Sequence, residues 1–502
     1  MSNHLFDALL NARDLSNGAL FVSTGHIQME DAAFFDLSAS MARVLVDKGV
    51  KPGDRVAVQV NKSIEALALY IACLRIGAVF LPLNTAYTQH ELQYFIDDAS
   101  PHLLIIDPAR DVEGHELLST ARVLTLSSEG EGSLTSAAAT ATALHDVVPR
   151  AADDLAAILY TSGTTGRSKG AMLTHANLLS NARTLVDVWK FSPDDVLLHA
   201  LPIFHTHGLF VASNVMLLCG GKMIFQSRFN VDDVLDALPY ATSMMGVPTF
   251  YTRLLAEQRF TRESAQHVRL FISGSAPLLA DTHREFEART GQRILERYGM
   301  TETNMNTSNP YDGDRIAGTV GLPLPGVSVR VCEAQTNRLV ADGQVGVLHV
   351  KGDNVFKGYW QMPEKTAEEL LPDGYFITGD LATIDGGGYV TIVGRSKDLI
   401  ISGGYNIYPK EIEMLIDEME EVAESAVIGV PDSDFGESVL AVVVRSRHTP
   451  AAVDASSVIQ ALDADGKLAR FKLPKRVEFV DELPRNAMGK VQKKTLREQF
   501  SS

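Results

Sequence analysis

Cysteine is scarce in this chain and does not cluster. Cys73, Cys219 and Cys332 are the only three in 502 residues, and none lies in a CxxC pair or beside a histidine cluster. An odd, scattered set argues against a disulfide framework or a zinc site and for reduced thiols. Long apolar runs are missing as well. The most apolar stretch, Leu209 to Leu218, is too short to span a bilayer, so no membrane insertion is expected. The opening MSNHLFDALLNARD carries acids and no apolar segment, unlike a secretory signal, and a cytoplasmic protein is the expectation. Positive charge is also in deficit. A net charge of −17 argues against non-specific binding of nucleic acid or acidic membrane, while leaving room for a local basic pocket.

What is present is an ordinary globular composition, 45% apolar and 21% charged. The length exceeds what one hydrophobic core usually supports, so at least two domains are expected. Strand and helix signals alternate through the first third. Arg55 to Val60, Ala78 to Leu83 and His102 to Asp107 read as strands, and Lys62 to Ile76 reads as a helix. Thr88 with Glu91 forms a capping box opening a helix through Asp98. The small-residue stretch Ser133–Thr142 reads as a surface excursion. Strands resume at Leu155 to Tyr160, Val196 to Leu201, Thr242 to Val247 and Val268 to Ser273. Such alternation implies an α/β fold, mostly parallel sheets covered by helices. From Gly318 to Gly352, short β-type runs between Pro and Gly turns suggest a small β subdomain. After Gly394 a tail long enough for a small α+β domain carries a strand pair, a helix from Pro409, two strands (Glu424–Val430 and Val439–Val444) and a basic end.

The segment Thr161-Ser162-Gly163-Thr164-Thr165-Gly166-Arg167-Ser168-Lys169-Gly170 follows a buried strand. Glycine lets backbone approach a polyphosphate, amides and hydroxyls donate hydrogen bonds, and the two cations offset charge. Its spacing is not that of a Walker loop. The loop resembles the phosphate loop of the adenylate-forming superfamily of acyl-CoA synthetases, luciferases and peptide-synthetase adenylation domains. Tyr298-Gly299-Met300-Thr301-Glu302, Tyr375-Phe376-Ile377-Thr378-Gly379-Asp380, Gly394-Arg395-Ser396-Lys397-Asp398 and Pro484-Arg485-Asn486-Ala487-Met488-Gly489-Lys490 resemble four further signatures of that family, in the same order. The likeness runs from about residue 10 to residue 497.

The resemblance implies ATP, Mg²⁺ and coenzyme A as ligands, and it assigns roles. Thr161, Thr165 and Thr301 would donate to ATP phosphates beside Ser162, Gly163, Thr164, Gly166 and Lys169. Glu302, with Thr161, would hold Mg²⁺, a cation that favours carboxylate and phosphate oxygens. Gly274-Ser275-Ala276 and Glu296-Arg297-Tyr298-Gly299 would flank the nucleotide. Asp380 would accept from the ribose hydroxyls, and Arg395 would contact the same sugar or the α-phosphate. Lys490 would stabilise charge as the acid attacks the α-phosphate, together with Thr301 and Glu302. An N-terminal domain of residues 1–394 would bind ATP and acid. A mobile lid of residues 395–502, turning about Lys397, would carry Lys490 in and out. Gly403, Gly404 and Tyr405 would line the pantetheine tunnel.

Two features bear on the acid. No Asp or Glu occurs between Val196 and Val231, so an anion for an amino-acid ammonium group is missing there. Phe204-His205-Thr206-His207-Gly208 instead resembles the acyl-CoA ligase pattern, with His205 beside the carboxyl site together with Ser273 and Met300. A short diacid needs a cation for its distal carboxylate, and Arg253 and Arg297 qualify. The segments ERYGMTETNMNTSNPYDGDR and LFISGSAPLLADTHREF resemble those of bacterial malonyl-CoA synthetases. Malonate is therefore the expected acid, with methylmalonate open, since one methyl group changes binding by only ~1–3 kcal/mol. Another short acid, or a catalytically silent nucleotide-binding regulator, is the alternative. The resemblance further implies control by a lysine acetyltransferase and a deacetylase acting on Lys490, since acetylation removes its charge. It leaves monomer and dimer open.

Overall fold

The computed structural model describes residues 2–23, 25–119, 122–161, 168–402, 405–432, 434–446, 453–486 and 489–500. Ser162, Gly163, Thr164, Thr165 and Gly166 of the phosphate loop, and Gly403 and Gly404, lie outside the described residues.

Two large helix-covered sheets form the first part of the chain. In the first, Val123–Thr125, Leu103–Ile106, Arg55–Gln59, Val79–Pro82 and Leu155–Thr161 run parallel, and Lys169–Thr174 closes the edge as an antiparallel hairpin partner. The second has nine strands, whose parallel centre runs from Leu295–Met300 through Leu270–Ser273, Ser243–Gly246 and Val196–His199 to Lys222–Phe225. Strands buried on both faces become continuous apolar runs, as in Leu103–Ile106, where all four residues are buried. The helix Ile64–Ile76 packs between them and is buried from Ala66 onward. Ser63 caps it, accepting from the Ala66 amide, so it starts two residues later than the sequence suggests. The Thr88–Glu91 capping box has both of its reciprocal bonds.

One expectation fails. Ser133–Ala138 is a helix, and Leu134 and Ala138 are buried against the helix Asp31–Asp47. A single large apolar residue among alanines gave no periodic signal, yet it suffices to dock the segment.

A four-stranded antiparallel sheet follows, Ser328–Cys332, Gly346–Lys351, Phe376–Ile384 and Val390–Arg395. It extends beyond the Gly318–Gly352 region read as a β subdomain. After a 3-10 turn at Ser396–Asp398, a separate five-stranded sheet begins at Ile400–Ser402. Its long hairpin, Val422–Asp432 with Gly436–Arg445, is joined by a parallel strand, Arg476–Val480, that the sequence reading did not anticipate. No helix among the described residues is long and apolar enough to cross a membrane. Cys73, Cys219 and Cys332 are buried free thiols.

Candidate functional site

In open α/β sheets ligands take the cleft outside the carboxyl ends of the strands, and the parallel strands of the nine-stranded sheet all end on that side. Ser273 ends one strand there, fully buried, with its hydroxyl unpartnered among the described residues. Gly274 follows, and its missing side chain is required. A Cβ at that position would lie 2.4 Å from Arg297 Cζ. The Arg297 guanidinium therefore stacks directly on the Gly274 backbone.

Arg297 lies on the neighbouring strand Leu295–Met300 and is 3% exposed. Its Nε and Nη2 have no hydrogen-bond partner, and no ion pair to it exists among the described residues. Strand alternation sends the adjacent Glu296 to the opposite face. There Glu296 Oε1 accepts from the Leu278 amide, and burial pushes its carboxyl up to about 8, so it is neutral. Burial without a carboxylate lowers the Arg297 guanidinium to about 9, and it stays charged at neutral pH. A buried cation with open donors costs several kcal/mol unless an anion completes it.

His205 is half-buried near this cation, and burial, then Arg297 and Lys490, lowers its imidazole to about 4. It is neutral, and its Nδ1 accepts from the His207 amide at 3.3 Å. His207 is buried with Nδ1 at 3.1 Å from Ser275 Oγ, and Ser275 holds a left-handed φ of +72°. The segment His207–Ser213 is a π-helical turn, a form common at functional sites. Gly208 permits it, since a Cβ there would meet the Pro202 carbonyl at 2.0 Å. Behind it Lys62 Nζ sits 2.8 Å from His199 Nδ1, and His199 Nε2 lies 2.9 Å from the Gly208 carbonyl. That buried support was not visible in the sequence.

Asp380 and Arg395 face each other on adjacent strands, Nε to Oδ1 at 2.6 Å, and Tyr298 donates to the other Asp380 oxygen at 2.5 Å. Glu302 is buried in the turn after Met300, and its carboxyl is raised mainly by burial. The Tyr359 hydroxyl bridges Glu302, at 3.1 Å, and Glu369, at 2.6 Å. Lys169 pairs with Glu369 at 3.2 Å and lies over the Tyr359 ring. Tyr359 and Glu369 carried no local sequence signal because their partners are distant in the chain. Thr161 Oγ1 is 3.5 Å from the Lys169 carbonyl, at the closing end of the phosphate loop. No cluster of three or more His, Cys, Asp or Glu side chains able to hold a metal occurs among the described residues. One carboxylate, Glu302, beside hydroxyls suits Mg²⁺, which takes one or two carboxylates and completes its shell with phosphate oxygens and water.

Lys490 enters the same cleft from the far end of the chain. It presents solvent-exposed surface there, while surrounding protein and then Arg395 lower its ammonium to about 8. A Cβ on its neighbour Gly489 would lie 3.3 Å from Thr249 Oγ1, so the loop touches the helix Pro248–Leu255. Arg253 stands one turn beyond Thr249 on that helix, exposed, and no bond to Arg297 or Glu257 occurs among the described residues. Lys397 is exposed in the 3-10 turn between the two sheets. Tyr405 is 58% exposed and stacks on Phe471 with ring centroids 4.6 Å apart.

The profile of the AMP-binding enzyme family matches residues 20–360, and that of the AMP-binding enzyme C-terminal domain matches residues 411–490. The ATP-bound structure of MatB from Rhodopseudomonas palustris superposes with a TM-score of 0.96 at 57% identity, covering 100% of this chain and 99% of that one. A malonate–CoA ligase of Arabidopsis thaliana is 36% identical over 90% of this chain and 79% of its own length. A feruloyl-CoA synthase of an Amycolatopsis species is 37% identical over 93% of this chain and 94% of its own.

Proposed function

The chain belongs to the AMP-binding enzyme family, and on that premise we propose that it joins malonate to coenzyme A at the expense of ATP, through a malonyl-adenylate, releasing AMP and pyrophosphate. Two relatives named for malonate support this acid, although one named for ferulate has similar overall identity. The observation that carries the choice is the buried, unpartnered Arg297 guanidinium. A monocarboxylate would leave it uncompensated. The distal carboxylate of a short diacid completes it with charge-assisted hydrogen bonds. Arg253, on the helix face that meets the Lys490 loop, is the second cation of this pocket. Methylmalonate is an alternative acid for the same pocket.

Ser273, His205 and Met300 border the reacting carboxylate. The neutral His205 neither repels Arg297 nor competes for its anion. Gly274 to Ala276 and the strand residues Glu296 to Gly299 flank adenine. Asp380, already gripped by Arg395 and Tyr298, receives the ribose. The loop from Thr161 to Lys169 and Thr301 hold the phosphates. Glu302 and Thr161 would hold Mg²⁺, which supplies charge neutralisation on the phosphates when bound. Lys490 offsets the negative charge that builds on the α-phosphorus and leaving pyrophosphate. Residues 395–502 then turn about Lys397, and Gly403 to Tyr405 admit the pantetheine arm. Three free buried thiols fit a reducing cytoplasm. The exposed face of Lys490 makes it reachable by an acetyltransferase, which would remove its charge.

Two consequences arise directly. Because Lys490 must be charged to act, kcat/KM for adenylation should fall as pH rises through about 8. A pH profile of malonate-dependent ATP–pyrophosphate exchange checks this, and a plateau extending well above that pH would contradict it. Second, Gly274→Ala should push the Arg297 guanidinium off its seat. Its KM for malonate should rise about tenfold or more, in line with a misplaced binding group; steady-state kinetics checks this, and an unchanged KM for malonate would contradict it.

Substrate-dependent pyrophosphate release with ATP, Mg²⁺ and CoA tests the function itself, across acetate, malonate, methylmalonate, succinate, butyrate and amino acids. Malonate should be preferred. Release with monocarboxylates alone would discard the diacid reading. Release with none would favour a silent nucleotide-binding regulator.

A further inference from the structure

The tip that carries Lys490 is a closed hairpin. Arg485 and Val491 form a β-bridge, and the Gln492 amide donates to the Pro484 carbonyl at 2.7 Å. The Asn486 amide donates to the Lys490 carbonyl at 3.0 Å, and the Lys490 amide donates to Asn486 Oδ1 at 3.0 Å. Gly489 completes the turn at φ +73°. These bonds fix the shape of the tip but not its direction relative to the lid.

Direction comes from one side chain. Arg485 Nη1 donates to the Gly489 carbonyl at 2.6 Å, one residue from Lys490. Its Nη2 pairs with Glu424 on the long lid strand Val422–Asp432. A planar guanidinium fork couples its two arms rigidly. The backbone beside Lys490 is thereby tied to the central sheet of the lid.

We infer that Arg485 and Glu424 are positioning residues for adenylation: the pair sets the angle at which the hairpin delivers Lys490 to the reacting α-phosphate. The inference rests on the proposed role of Lys490. Each side chain of the pair is more than a quarter exposed, so the ion pair adds little to global stability. A displacement near 1 Å can nonetheless lower a rate about 100-fold. The pair matters only while Lys490 is in the site, so thioester formation from supplied malonyl-adenylate should not need it.

The test uses the full-length protein with Glu424→Gln, Arg485→Lys and the exchanged double variant Glu424→Arg with Arg485→Glu. Three quantities are read: malonate-dependent ATP–pyrophosphate exchange, conversion of supplied malonyl-adenylate and CoA to thioester, and the melting temperature. Both single variants should lose about 10- to 100-fold in the kcat of exchange, with KM for ATP and the thioester step nearly unchanged. The exchanged pair restores the ion pair but puts a carboxylate where the Gly489 carbonyl needs a donor. It should melt like the unsubstituted protein and still exchange slowly. Full exchange activity in Glu424→Gln, equal losses in both half-reactions, or recovery of exchange in the double variant would each overturn the inference. If the unsubstituted protein itself shows no malonate-dependent exchange, the functional proposal fails instead.

Discussion

Replacing Lys490 by Ala should abolish most adenylation and spare the second half-reaction. Removing one group that stabilises transition-state charge costs about 100- to 1,000-fold in kcat, and Lys490 enters the cleft where Arg395 and Asp380 lie. Among the described lysines nearby, Lys169 is paired with Glu369, and Lys397, although close to Arg395 and Asp380, belongs to the turn between the sheets. Pyrophosphate exchange should therefore fall by that factor with little change in KM for ATP. Thioester formation from supplied malonyl-adenylate should stay within a few-fold because, on the proposed rotation about Lys397, Lys490 leaves the site before that step. Acetylated Lys490 should behave the same way, since its amide cannot carry charge. Equal losses in both steps would make Lys490 a structural residue of the lid.

The second large effect is a change of substrate. Arg297→Leu removes a cation that is 3% exposed and has two unpartnered nitrogens. Truncating one partner of a buried, hydrogen-bonded charge pair costs about 2–5 kcal/mol, or roughly 30- to 4,000-fold in kcat/KM for malonate. The same change relieves the uncompensated charge that a monocarboxylate would leave. Butyrate should therefore become a better substrate for Arg297→Leu than for the unsubstituted protein. Arg253→Leu should have a smaller effect in the same direction, because Arg253 is exposed and water screens it. Steady-state kinetics with both acids decides this. An unchanged malonate-to-butyrate ratio in Arg297→Leu would remove Arg297 from the acid pocket.

Local chemistry was legible in the sequence. The Thr88–Glu91 capping box involves residues three apart, so it could be read without a fold. The same kind of signal, Asp454 with Ser457, opens the helix Ala455–Asp465 and could have been read too. Arg297 could be nominated from its place beside Tyr298, but its isolation could not. That depends on Glu296 turning to the other face and on Gly274, just past the end of the neighbouring strand, leaving room for the guanidinium. Likewise, Tyr359 joins Glu302 to Glu369, and Lys62 supports the Gly208 turn, through contacts between distant segments. The Arg485–Glu424 tie belongs to the same class. Motifs mark where chemistry gathers, and packing decides which charges are left unpaired.

The central claim is that a buried, uncompensated Arg297 selects a second carboxylate. Malonamate has nearly the shape of malonate but an uncharged amide at the distal end. Comparing kcat/KM for the two acids in the ATP-, Mg²⁺- and CoA-dependent release of pyrophosphate isolates that single charge. Malonate should be favoured by at least about 30-fold, the lower end expected for a buried charge pair. Similar values for the two acids would show that the distal charge is not read, and the assignment of Arg297 would fall.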